Sequence, residues 1–435
     1  MRKLLFVVAL TLVGGGLGAP AAAGGTRPDI DSVRVWNELA LTAVRVTRAT
    51  DADAARLYAM VDVAVYDAVN GITSVRARRP RAAALVPGPG PRDGDPQAAA
   101  AAAAHTVLTG LDPARAGTYD ARLDADLARL RAAPGPDAAV TSGAAWGRHV
   151  GESVVAARAG DGSTPVESQP AGTGPGVFRA AWSGAQYRNV RPFAVTDPAR
   201  YVPGPPPALD TVRYAGAFAE VAVLGDAALP APDLLATYQY WSLPAGSAQP
   251  AGEWLRIGLG VAAARRLPLP EQARLTALLT MALADTTVAT VATKYQYRHW
   301  RPTTAIHEAD TDGNPATRPD PAWAARAGSP GGSPEYVSGH SSYSGAGATV
   351  LAGFFCADAI PFRHATDSAP GGAARDYPGF AAAAAEAGRS RVYGGQHFEF
   401  SNQAGLGVGR GVAGEVLATR LLYRTGPTHV GSCPR

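Results

Sequence analysis

Cysteine is nearly missing from this chain of 435 residues, which has two, Cys356 and Cys433. They leave room for one bridge at most, tying the C-terminal tail to the helix around Cys356, with two unpaired thiols as the alternative. An excess of charge of one sign is also missing. Forty Lys and Arg stand against 36 Asp and Glu, a formal net charge of +4, and Arg2 and Lys3 hold two of those charges. So small an imbalance describes an ordinary solvated surface and gives no reason to expect a nucleic-acid partner. Past the first twenty residues no uninterrupted apolar run reaches spanning length, because charged residues and Thr break the Ala-rich and Leu-rich segments. Strand-like alternation and internal repeats are absent too, which argues against sheets and against a solenoid; the alanine tracts look compositional.

What is present begins with Arg2 and Lys3, an apolar run from Leu4 to Leu17, and small residues from Ala19 to Ala23. This pattern predicts a Sec-type signal peptide over residues 1–23, cleaved near Ala23, and with no cysteine behind it to be lipidated the mature chain is expected to be exported and soluble. About four hundred residues remain, enough for one large or two ordinary domains. Pro and Gly break the chain at 87–96, 161–176, 203–207 and 310–333, and the stretches between read as helix. Residues 36–70 carry Leu57, Met60, Val61, Ala64, Val65 and Ala68 at helical steps, predicting an amphipathic helix or helix pair. Residues 98–111 and 141–158 follow as helices. The expected architecture is all-α: an N-terminal helical part over 30–208, a catalytic helical bundle over 209–425 with the site in its core, and a tail over 426–435.

In the second half the pattern begins to place chemistry. Pro270 and Glu271 make a helix start, and Leu275, Leu278, Leu279, Ala282 and Leu283 form an apolar stripe ending near Lys294. Pro302 biases Arg301 toward extended backbone, so residues 295–301 are expected to leave the helix and aim the arginine back toward the lysine. Ser338-Gly339-His340 lies between a Pro/Gly-rich loop and a run of small residues, hence at a helix N-terminus, where amide groups attract an anion and Gly339 lets the main chain approach it. An alanine-rich helix ends near Arg391, Gly394-Gly395 turns the chain, and His397 precedes a helix over about 401–423. Asp285 reads as a hydrogen-bonded core residue. His105, His149, His299, His307, His364 and His429 read as structural, although His299 could line the pocket. The acidic run over 310–314 has its glycine too early for a calcium loop and reads as solvated.

Lys294, Arg301, Ser338, Gly339, His340, Arg391 and His397, in this order and spacing, resemble the signature of the vanadium-dependent haloperoxidases and of the acid phosphatases in the type 2 phosphatidic acid phosphatase superfamily. The match covers roughly the last third of the chain. Residues 60–70 and 294–306 resemble the exported bacterial haloperoxidase-like group. The resemblance implies a helical bundle of that type with an additional N-terminal helical part. It further implies vanadate as cofactor, with His397 as its sole protein ligand, and Lys294, Arg301, Ser338, Arg391 and the Gly339 amide holding its oxygens. His340 would be the acid-base, and Lys294 would polarise bound peroxide. The partners implied are hydrogen peroxide, halide and a small organic compound to be halogenated.

The acid phosphatases use the same residue set otherwise, with the residue matching His397 forming a phosphohistidine and the one matching His340 protonating the leaving alcohol of a phosphate ester. An oxyanion-binding protein without turnover is the reading of another class, but binding alone has no need of His340. Two positions depart from fungal members: Ser401 where they carry aspartate four residues past the ligand histidine, and Ser333 where fungal chloroperoxidases carry an aromatic. Serine is a poorer anchor than a carboxylate for orienting the histidine, which bears on chloride oxidation.

Overall fold

A computed structural model describes residues 31–424. The leader expected over 1–23 and the tail with His429 and Cys433 lie outside the described residues; Cys356 is disulfide-bonded. The architecture is all-α. The first half begins with α1 (Ser32–Thr47) and α2 (Asp51–Ser74), a helix pair broken where Arg48 turns left-handed at φ 54° and Thr50 caps the second helix by accepting from the Asp53 amide. Next come α3 (Pro96–Leu111), α4 (Ala116–Ala132) and α5 (Asp137–Arg158). The alanine tract has a packing reason. Residues Ala98 to Ala104 are all buried, and a Cβ added to Gly147 of α5 would lie 2.1 Å from the Ala99 carbonyl, so small side chains let α3 and α5 touch backbone to backbone.

The second half runs α6 (Val212–Leu224), α7 (Pro232–Tyr240), α8 (Gln249–Ala264), α9 (Leu269–Tyr297), α10 (Pro302–His307), α11 (Gly339–Phe355), α12 (Phe380–Tyr393) and α13 (Glu399–Thr419). Among the described residues the regular strands are two antiparallel ribbons, β1 (Ser168–Gln169) with β2 (Trp182–Ser183) and β3 (Phe362–His364) with β4 (Arg375–Tyr377). α9 runs three residues past Lys294 before Arg298, at φ 45°, ends it, so the helix is longer than the sequence suggested. α13 ends at Thr419, short of residue 423, because Arg420 is extended and Tyr423 turns away to bridge Arg81.

α9 is buried nearly all round and is the one helix among the described residues long and apolar enough to cross a membrane. Its neighbours here are protein: α2 packs along it from the first half, α11 and α13 from the second, and one continuous apolar core joins α1 to α13. Asp285 of α9 accepts from the amides of Phe193, Ala194 and Val195 at 2.7–2.8 Å, pinning the segment that crosses the helix. The 310–314 run is more built than a solvated loop. Asp312 is buried and takes the Thr317 hydroxyl at 2.8 Å, and Asn314 donates to the Leu209 carbonyl at 2.7 Å.

Candidate functional site

Five helix ends converge. Lys294 sits in the last turn of α9, and Arg301, with extended backbone at φ −83° and ψ 157°, is the N-cap of α10. Ser338 caps α11, its hydroxyl accepting from the Ser341 amide at 3.3 Å. Arg391 lies in the last turn of α12, and His397 stands two residues before α13. All five side chains are buried and His340 is half-buried. Hydrogen bonds tie the ends together. Arg301 Nη1 donates to the Gln396 carbonyl at 2.8 Å and to His397 Nε2 at 2.9 Å, Arg391 reaches the Gln396 side chain, and Lys294 Nζ donates to the Pro334 carbonyl.

The sequence reading missed Glu335. Its Oε1 accepts from His397 Nδ1 at 2.9 Å and from the Phe398 amide at 3.0 Å, and its side chain is fully buried. The carboxylate absent at Ser401 is thus supplied from the loop ahead of α11, and Ser401 donates instead to the Glu335 carbonyl. Ser333 likewise has a task, its carbonyl accepting from Arg301 Nε at 2.8 Å. A proton on Nδ1, assigned from these partners, leaves the Nε2 lone pair pointing toward Arg301. His340 is turned the other way, with Nε2 donating to the Ser242 carbonyl at 3.1 Å and Nδ1 left as the acceptor. The remaining histidines among the described residues lie elsewhere; His299 packs against Tyr214, Phe398 and Phe400.

The electrostatics describe a cage short of negative charge. Burial, then Arg301, Lys294, Arg391 and His340, hold the His397 imidazole well below its usual value. His340 is likewise pushed down by burial and then by Arg391. Burial and then Arg301 lower the Lys294 ammonium, while Glu335 is raised by burial, against the pull of Arg301 and Lys294. Arg301 and Arg391 are each brought down to about 10, chiefly by burial. Arg391 Nε is buried with no partner. A Cβ added to Gly339 would find protein no closer than Asp51 Oδ2 at 3.7 Å, so the packing of the chain itself does not demand glycine there. Unmet donors, crowded cations and space over a helix N-terminus fit a tetrahedral oxyanion such as vanadate or phosphate. Among the described residues no cluster of His, Cys, Asp and Glu suits a metal cation.

Residues 274–425 match the family model described as the VCPO second helical-bundle domain. No curated protein matches the chain by sequence. Among solved structures, a bacterial vanadium-dependent iodoperoxidase superposes with a TM-score of 0.73 at 20% identity, over 89% of this chain and 96% of that one. The apo-type and holo-type structures of bacterial vanadium-dependent chloroperoxidase, each 16% identical, give TM-scores of 0.60 and 0.61. They cover 83% and 91% of this chain and 92% and 95% of theirs.

Proposed function

We propose that this chain, whose fold and second bundle support membership of the vanadium haloperoxidase superfamily, oxidises halide with hydrogen peroxide at a vanadate centre and so halogenates organic compounds. The observation that carries the reading is the His397–Glu335 pair beside Arg301. It presents a neutral imidazole with a fixed tautomer and an available Nε2 lone pair inside a cluster of cations, which is what a single-histidine vanadate site requires. Bound vanadate would supply Lewis acidity toward peroxide without change of oxidation state. Lys294, Arg301, Ser338, Arg391 and the Gly339 amide would hold its oxygens, and together their charge favours an anion that water would otherwise solvate. His340, neutral in the open cage with Nδ1 as acceptor, would take and return protons at the edge of the guest. The leader-like residues 1–23 extend the proposal to export from the cell.

The test compares two activities of the purified protein. Loaded with vanadate and given hydrogen peroxide, it should oxidise iodide or bromide, and His397→Ala should reduce the rate at least a hundredfold. Hydrolysis of p-nitrophenyl phosphate that vanadate blocks, with no halide oxidation, would select the phosphohistidine reading. Tight phosphate or vanadate binding with neither activity would leave only an oxyanion-binding protein.

A further inference from the structure

A cavity of about 330 Å³ opens beside the cage and shares Lys294 and Ser333 with it. Its walls include the rings of Trp182, Tyr187 and Tyr343. Both tyrosine hydroxyls are spent on protein, Tyr187 on Asp53 and Tyr343 on Thr287, so their rings are what a guest would meet. The start of α2 forms the acidic side. Asp53 has both oxygens engaged, by Tyr187 and by Thr50. Asp51 accepts the Ala52 amide on Oδ1, and its Oδ2 lies beside Gly339. From the α9 face that carries Lys294, Thr290 lines the same cavity, and its hydroxyl is buried without a partner. Lys294 is the one cation in the lining, and an oxyanion in the cage offsets it; the charge then left facing the cavity is that of the two aspartates. Such a chamber repels halide and carboxylates and favours a cation.

We propose that this cavity binds the organic substrate as an arylalkylammonium, its ring among Trp182, Tyr187 and Tyr343 and its ammonium on Asp51. The site names the substrate class of the proposed reaction and rests on that reading for the occupant of the cage. The ring then lies next to the oxidising centre, and the ammonium fixes which end of the molecule faces it. Thr290 is placed to bond a ring hydroxyl or the ammonium.

Calorimetry on phosphate-loaded protein tests binding apart from turnover, with tyramine, 4-ethylphenol and 4-hydroxyphenylacetate as probes of one size and three charges. Tyramine should bind about tenfold more tightly than 4-ethylphenol, and the carboxylate most weakly. Asp51→Asn should erase the preference for the amine while 4-ethylphenol binds as before and phosphate binds no more weakly. Thr290→Val should weaken the phenols severalfold and keep the preference for the amine. Equal binding of amine and neutral phenol, no binding of either at millimolar concentration, or an amine preference that survives Asp51→Asn would overturn the proposal. Failure of phosphate and vanadate to bind at all counts against the oxyanion reading instead, and is read in a separate titration.

Discussion

At the residue scale, the sequence announced the cations and hid the carboxylate that organises them. Ser338-Gly339-His340 and Arg391 are recognisable because a short run carries their chemistry, whereas Glu335 meets His397 only once two loops have folded together. Its nearness to Ser338 was the one signal, and a lone glutamate in a Pro- and Gly-rich loop reads as solvated. Glu335→Gln keeps the shape but ceases to impose a proton on Nδ1, so vanadate affinity measured by titration should fall about ten- to a hundredfold with little change in melting temperature. An unchanged affinity would remove Glu335 from the account. The depressed imidazole of His397 carries a pH signature. Because its pKa is lowered, the neutral form persists below pH 6.5, and vanadate binding should hold there rather than fade with an ordinary histidine midpoint.

At the element scale, several helix ends were legible from caps and breakers, while the full length of α9 was not. Ser338 was readable as a cap, but α9 outruns the apolar stripe because residues 295–297 find partners outside the pattern: Tyr297 donates to the Pro203 carbonyl, and Tyr295 stacks under Arg188. With no oxyanion present, Ser338→Ala should cost about 1 kcal/mol of stability in denaturant unfolding, the ordinary worth of an N-cap. Asp62 of α2 offers a second check. Its Oδ1 accepts from Asn37 at 2.8 Å, Oδ2 has no partner, and burial raises the carboxyl to about 7 from an ordinary 3.8. Between pH 4 and 7 the folded chain therefore holds a proton that the unfolded chain releases, and stability from this group declines as pH rises through that window. Asp62→Asn lacks the term. The melting temperature of the parent minus that of the variant should drop from pH 4 to 7 and level off above; a flat difference would refute the assignment.

At the scale of the whole molecule, the all-α class was legible because nothing in the chain alternates, while the dependence of one half on the other was not. The apolar stripe of α2 does not name its partner, and only the fold shows that the helix carrying Lys294 lies between the two halves. Residues 209–424 expressed alone would expose an apolar face of α9 to water. They should show no cooperative thermal transition and should bind a hydrophobic dye, and adding residues 31–208 should restore the transition. A sharp, reversible transition of the fragment alone would mean that the second half is self-sufficient.

The guanidinium of Arg301 resting on His397 has a consequence for which ions can enter the cage. A buried imidazole with a free lone pair is a ready trap for zinc, copper or nickel. Here His397 Nε2 is capped by Arg301, and a divalent metal would displace it only by meeting the further positive side chains around it. A contact that an oxyanion would open by attraction stays shut to metals by repulsion, so a guest would be selected by the sign of its charge before shape is consulted.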